Sequence, residues 1–243
     1  MTSFAFQLYS LHAVDDPLTE TLDRVGRTGF DGVEFAGLGD ETASDVAAAL
    51  ADADLAAPSA HVDAAVLEGD PDGVADTYDT LGCDDLVVPW LDPDCFASRD
   101  AVADAAARLS ALADRVSAAG ATLHYHNHDQ EFRAVDGEPA LSHLLAETDD
   151  LRLQLDVGWA GAAGHDPVAL LRRHADRIDS VHLKDYDAER GEVVEVGDGD
   201  LDVAAAVRAV RDLGIDWLVY EAEEDPGSYG TLDHAESIRE RYW

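Results

Sequence analysis

A chain of 243 residues with 16 Lys plus Arg against 52 Asp plus Glu carries a formal charge of −36, and 47% of its residues are hydrophobic. That apolar fraction excludes a disordered acidic tail, and the lack of any basic patch argues against binding to a nucleic acid backbone. No apolar run approaches the length of a membrane span, and no charged start followed by an apolar core marks a leader, so a soluble cytoplasmic protein with no membrane partner is expected.

The acid is spread along the whole chain. Lys184 is the single lysine, against 15 arginines. This pattern predicts adaptation to molar salt, where the Debye length is about 3 Å and self-repulsion is screened. Thermal unfolding followed from about 0.1 M to about 3 M salt should therefore show a steep rise in midpoint; a flat profile would return the chain to the ordinary acidic proteins. Cys83 and Cys95 form no CxxC pair and are expected to be reduced.

In chain order, Phe4 to Tyr9 alternates as a strand. Asp15-Asp16-Pro17 then opens a helix that runs to about Thr28, before Gly29. Residues 32–36 form a short strand, residues 44–53 a helix, and residues 55–61 a strand made irregular by Pro58 and Ser59. A helix over 72–81 stops at Gly82, and residues 85–89 hold a brief buried strand. The long helix over 98–119 has apolar residues at three- and four-residue spacings and ends at Gly120. The strand that begins at Thr122 is followed by a helix over 138–146, a strand over 151–156 and a helix capped by Asp166-Pro167. A strand over 178–183, a helix over 202–213, a strand over 217–221 and a helix over 231–242 complete the chain. Eight strands strictly alternating with eight helices imply parallel pairing, and in about 250 residues a closed (β/α)₈ barrel, with residues 1–243 as one TIM-barrel domain. An open doubly wound sheet is the alternative, but the first strand–helix turn, Leu8 to His12, lacks GxGxxG.

In such a barrel the chemistry gathers at the carboxyl ends of the strands. Those ends carry Gln7 and Tyr9; Glu34; His61 and Asp63; Trp90; His126, Asn127, His128 and Glu131; Asp156; His182, Lys184 and Asp185; and Glu221. Three of the ten histidines, His124, His126 and His128, fall within five residues and on one face of a strand. Inward strand positions are expected to be apolar, so each titratable exception points to a ligand or a base. A divalent cation bound by mixed carboxylate and imidazole needs about four protein ligands. Asp156, His182 and Glu221 supply three from neighbouring strands, and the fifth strand is expected to supply the fourth.

The segments Tyr125-His126-Asn127-His128-Asp129-x-Glu131-Phe132, Leu155-Asp156-Val157-Gly158-Trp159, Gly164-His165-Asp166-Pro167, His182-Leu183-Lys184-Asp185 and Val196-Gly197-x-Gly199 resemble the sugar phosphate isomerase/epimerase family of the xylose isomerase-like barrel superfamily. The resemblance extends over essentially the whole chain and is specific for the superfamily, not for a substrate. It implies one divalent ion, Mn²⁺, Mg²⁺, Co²⁺ or Zn²⁺, held by Asp156, His182, Glu221 and a fourth group. His126 stands where many members have a glutamate, and Glu131 follows five residues later, so the fourth ligand is His126 or Glu131. Trp159 replaces a histidine common in the family and reads as a pocket wall.

The expected activity is that of a metal-dependent isomerase or epimerase acting on a small ketose, keto-sugar or sugar phosphate through a metal-stabilised enediolate. Glu221 is the preferred base, with Glu131 or a metal-bound water as its counterpart. Lys184 and Glu34 would orient or polarise the substrate, and Gln7, Tyr9, His61, Trp90, Asn127, His128, Trp159 and Asp185 would contact it. The rivals are a dehydratase or glycoside-cleaving lyase built on the same site and a non-catalytic metal or sugar-binding barrel. The partner is then a small carbohydrate, with no nucleic acid; the sequence leaves self-association into a homo-oligomer open.

Overall fold

The computed structural model describes residues 1–223 and 227–243. Eight parallel strands form its centre: β1 (Ser3–Gln7), β2 (Gly32–Glu34), β3 (Ala60–His61), β4 (Asp85–Val88), β5 (Thr122–His126), β6 (Arg152–Asp156), β7 (Ile178–Leu183) and β8 (Trp217–Tyr220). Pairing runs β2-β1-β8-β7-β6-β5-β4-β3. The bridges Gly32 to Ala56 and Phe35 to Ala60 join β2 to the segment leading into β3 and close the barrel.

The expected strand over 55–61 contracts to two residues, because Pro58 has no N–H to give a ladder. What remains of it still pairs: Val33 N–H donates to Ala56 O at 2.9 Å, and Phe35 N–H to Ser59 O at 3.1 Å.

Helices α1 (Leu18–Val25), α2 (Ala43–Ala53), α3 (Ala64–Gly69), α4 (Pro71–Asp79), α5 (Arg99–Ala118), α6 (Ala140–Ala146), α7 (Val157–Ala162), α8 (Pro167–Arg173), α9 (Val203–Leu213) and α10 (Gly230–Tyr242) surround the barrel. Strict one-to-one alternation is therefore corrected in two places. After β3 the chain makes two helices where one is expected, since Asp70 accepts from Gly73 N–H and Pro71 starts a fresh helix at its first position. After β6 the short α7 precedes α8. Two small hairpins, Ala134–Val135 with Glu138–Pro139 and Asp185–Asp187 with Glu192–Val194, are also added. The longest helix begins where Ser98 Oγ accepts from Ala101 N–H at 3.2 Å.

Alternation along the strands separates two layers. Outward residues, among them Phe4, Phe6, Leu86, Val88, Leu123, Tyr125, Leu155, Leu183 and Tyr220, join the helices in one apolar core. The helices contribute stripes such as Val102, Leu109 and Val116 of α5. Inward residues are different. Apart from Ala5, Val87 and Val219, the lumen near its carboxyl end is filled by Gln7, Glu34, Gln154, Asp156, Ser180 and His182, all buried. Barrel interiors of this kind are usually packed with branched apolar residues, so a polar lumen marks where the fold gives up core packing for a site. Among the described residues no helix is long and apolar enough to cross a membrane.

Candidate active site

The floor of the site is Glu34, at the end of β2. Its carboxylate is fully buried and accepts from Gln7 Nε2, Ser59 Oγ and Gln154 Nε2, the last at 2.5 Å. His61 Nε2 and His182 Nε2 approach at 3.0 and 2.6 Å. Burial opposes its charge, but the two imidazoles outweigh that and hold its pKa well below the ordinary range. Every lone pair is engaged by the protein, so Glu34 and Gln7 lie beneath the substrate space as supports. The sequence shows that these residues end strands but not how deep they sit.

Gln154, two residues before Asp156 on β6, connects this floor to the ligand layer. Its amide N–H groups donate to Glu34 and to Ser180 Oγ, the latter at 3.1 Å. Its Oε1 therefore accepts, from His61 Nε2 at 2.8 Å and from His126 Nδ1 at 3.1 Å. The proton of His126 is thereby fixed on Nδ1, and Nε2 keeps a free lone pair. Burial, with His182 and other cationic neighbours adding to it, pushes the His126 pKa well down, so the ring is neutral.

Above this floor, His126, Asp156, His182 and Glu221 each offer a ligand atom, all within 4.8 Å of one another, and all four residues are buried. Asp156 caps α7 with one oxygen, Oδ1, which accepts from Trp159 N–H at 2.8 Å. The other, Oδ2, is buried with no hydrogen-bond partner among the described residues and lies 3.7 Å from His126 Nε2. An orphaned carboxylate oxygen beside an unprotonated imidazole nitrogen is what a divalent cation would satisfy, so the donors fit the ion that the resemblance implies. Burial pushes Asp156 up to about 6 despite Lys184 and His182 nearby. Asn127 fixes its backbone: Asp156 N–H donates to Asn127 Oδ1 at 3.0 Å, and Asn127 Nδ2 to Asp156 O at 3.3 Å.

His182 stands between two carboxylates, with Nε2 on Glu34 and Nδ1 2.6 Å from Glu221 Oε2. Burial works against its charge, yet in the metal-free protein the two anions hold its pKa up at about 10; a divalent ion taken by Nδ1 would displace the proton there, while Nε2–H stays on Glu34. Lys184 closes the far side, with Nζ 2.6 Å from Glu223 Oε1, 3.0 Å from Glu221 Oε2 and 3.6 Å from Asp156 Oδ2. These carboxylates overcome burial and raise its pKa, so it remains an ammonium. Burial also opposes the charge of Glu221, but Lys184 and His182 keep it ionised.

Glu131 is placed apart from this group. It lies in a single turn, Gln130–Phe132, that folds its carboxylate back onto the protein, where Tyr125 Oη and His128 N–H donate to it. Of the two candidates for the fourth ligand, His126 is the one that faces Asp156 and His182. Burial pushes Glu131 up to about 7, from an ordinary value of 4.5. The native state thus holds a proton that the unfolded chain has lost between about pH 4.5 and 7, and stability should fall as pH rises through that window. Glu131→Gln should remove this slope, gaining up to a few kcal/mol at pH 8 and nothing at pH 4.5, at roughly 1.4 kcal/mol per pH unit. Denaturant unfolding of both proteins across pH 4.5 to 8 measures it; parallel stability profiles would mean that Glu131 is not a buried acid of this kind.

Asp185 also turns away from the substrate space. Its carboxylate accepts from the N–H groups of Tyr186, Gly197, Gly199 and Leu201 and so organises the Val196-Gly197-x-Gly199 segment. A Cβ on Gly199 would lie 2.3 Å from Asp185 Oδ1, which accounts for the glycine.

A cavity of about 900 Å³ opens over the quartet, lined among others by Tyr9, His61, Trp90, His126, His128, Trp159 and Glu221. It also takes in residues the sequence did not single out: Glu223, and Val66, Val74 and Tyr78 on α3 and α4. Gln154 was legible in principle, since counting back two from Asp156 gives the next inward position. Burial lowers His128 to about 4, and its Nδ1 has no partner among the described residues.

The chain is similar to several known proteins. An inosose dehydratase of Lacticaseibacillus casei is 26% identical over 145 residues, covering 52% of this chain and 49% of that protein. The rhizopine catabolism protein MocC of Rhizobium meliloti is 34% identical over 150 residues, covering 53% and 45%. The chain thus spans about half the length of the curated relatives it matches. The crystal structure of a sugar phosphate isomerase/epimerase from Parabacteroides distasonis superposes with a TM-score of 0.84 at 21% identity, over 98% of this chain and 97% of that one, and shows the shared fold. Residues 22–241 match the model of the xylose isomerase-like TIM barrel, and the chain belongs to that family.

Proposed function

We propose that this chain is a divalent-metal-dependent isomerase or epimerase that removes the proton next to the carbonyl of a small keto-sugar. The observation that carries this reading is the buried quartet of His126, Asp156, His182 and Glu221, with Asp156 Oδ2 lacking any hydrogen-bond partner among the described residues. When bound there, a divalent ion supplies Lewis-acid polarisation of the carbonyl and its neighbouring hydroxyl.

The protein's own groups account for the proton. Lys184 and His182 keep Glu221 ionised, and it borders the cavity, so it is positioned to accept the proton. His128, whose Nδ1 has no partner among the described residues, lines the same cavity and would relay a proton from solvent water to the opposite face, the counterpart role that the sequence offered to Glu131 or a metal-bound water. Protonation at the adjacent carbon isomerises; protonation of the same carbon from the other face epimerises. Lys184 stays protonated behind the quartet and holds the Glu221 carboxylate in place. Trp159 offers a flat apolar face to a sugar ring.

One observation favours a lyase as second reading. Relatives named inosose dehydratases are 26% and 30% identical over about half of this chain. Proton NMR in D₂O, with the metal-loaded enzyme and a ketose beside a keto-inositol, separates them. Deuterium in recovered substrate together with a new stereoisomer supports the isomerase. Water loss from the keto-inositol without any isomer supports the lyase. No exchange with any substrate would leave a binding barrel.

A further inference from the structure

The cavity is larger and less polar than a free monosaccharide needs. Its volume, about 900 Å³, lies near the top of the range of about 300–1,000 Å³ typical of pockets for drug-sized ligands. One end is the ligand quartet. The other is a wall built by Tyr9 after β1, Val62 after β3, Val66 of α3, Val74 and Tyr78 of α4, and Trp90 after β4. Large apolar side chains that stay exposed are few among the described residues: Met1, Tyr9 (45%), Val66 (51%) and Trp90 (49%). All but the terminal Met1 line this one cavity, and on so acidic a surface such a concentration marks a contact for something apolar.

Charge narrows the ligand further. No arginine or lysine is among the described residues that line the cavity, whereas Asp63, Asp70, Glu221 and Glu223 do. Lys184 lies behind the quartet, already bound to Glu223 and Glu221. A phosphate or carboxylate group on the substrate would meet no forked or free cation and several anions.

We propose that the substrate is an uncharged keto-glycoside whose apolar or aromatic aglycone lies on this wall, while its keto-sugar faces the quartet. The sugar half rests on the function proposed above; the aglycone half rests on the wall itself, which is continuous with the site and opposes anions.

Calorimetric titration of the whole protein in molar salt tests it with three probes that have no free carbonyl: methyl β-glucoside, phenyl β-glucoside and methyl β-glucoside 6-phosphate. The phenyl glycoside should bind at least about 10-fold tighter than the methyl one, equivalent to about 1.4 kcal/mol, and the phosphate should bind weakest. Val66→Glu, at a half-exposed position and checked for an unchanged unfolding midpoint, should cut the phenyl preference to less than about 2-fold, since it places a charge where the ring lies. Absent or equal phenyl binding overturns the proposal, as does tightest binding of the phosphate. So does a dimer that Val66→Glu dissociates, because a second copy would then cover the wall. Phenyl preference without deuterium exchange on a phenyl keto-glucoside would contradict the proton-abstraction reading and leave the wall assignment standing. Exchange without phenyl preference would do the reverse.

Discussion

Glu221→Gln should slow solvent deuterium exchange next to the substrate carbonyl by about 10²-fold or more, the usual contribution of a positioned base. The substitution keeps the volume and one oxygen donor, so the barrel should fold. What it removes is the negative charge that Lys184, at 3.0 Å, and His182, at 2.6 Å, gather around. Metal affinity should fall only in part, because His126, Asp156 and His182 remain. The comparison is therefore made at saturating metal, with a substrate that the wild type exchanges. If the variant exchanges as fast as wild type, Glu221 is not the base and the role passes to His128.

A second large effect is expected at Asp156. Asp156→Asn can keep the Oδ1 cap on Trp159 N–H, so α7 should remain in place. It replaces the orphaned Oδ2 by an amide, which has no lone pair to offer a cation. Removing even the outer partners of a metal site typically costs about 10–100-fold in affinity, so loss of this donor should cost about 10²-fold or more, with exchange activity falling in step. Because burying a carboxylate oxygen without a hydrogen bond is itself costly, and Lys184 keeps Glu221 and Glu223 as partners, the variant without metal should be at least as stable as wild type without metal. An Asn variant with wild-type metal affinity would place the ion elsewhere.

Much of this site can be read from strand ends alone. Asp156, His182 and Glu221 are titratable residues where β6, β7 and β8 stop, and period-two alternation puts Asp156 and His182 on the inward face beside each other, as their pairing in the sheet shows. What could not be read is depth and turn geometry. Glu34 and Gln7 occupy strand ends like the others, but only the tertiary structure shows five donors converging on Glu34 and sealing it below the cavity. The choice between His126 and Glu131 depends on one turn, Gln130–Phe132, whose direction no local propensity dictates. The apolar wall was missed for a related reason. Helix α3 spans only Ala64–Gly69, and Asp63 at its N-cap makes no cap hydrogen bond; a helix this short is hard to read from sequence, and Val66 gains meaning only when the fold brings it to the cavity that Trp90 lines.

We assign His126, Asp156, His182 and Glu221 as the holders of one divalent ion. Metal content and affinity of protein purified without chelator, compared among wild type, His126→Ala and Glu131→Gln, test that most directly. The expected result is one ion per chain in wild type and in Glu131→Gln, and a loss of about 10²-fold or more in affinity in His126→Ala, by the same reasoning as for Asp156. Undiminished binding in His126→Ala together with loss in Glu131→Gln would contradict it.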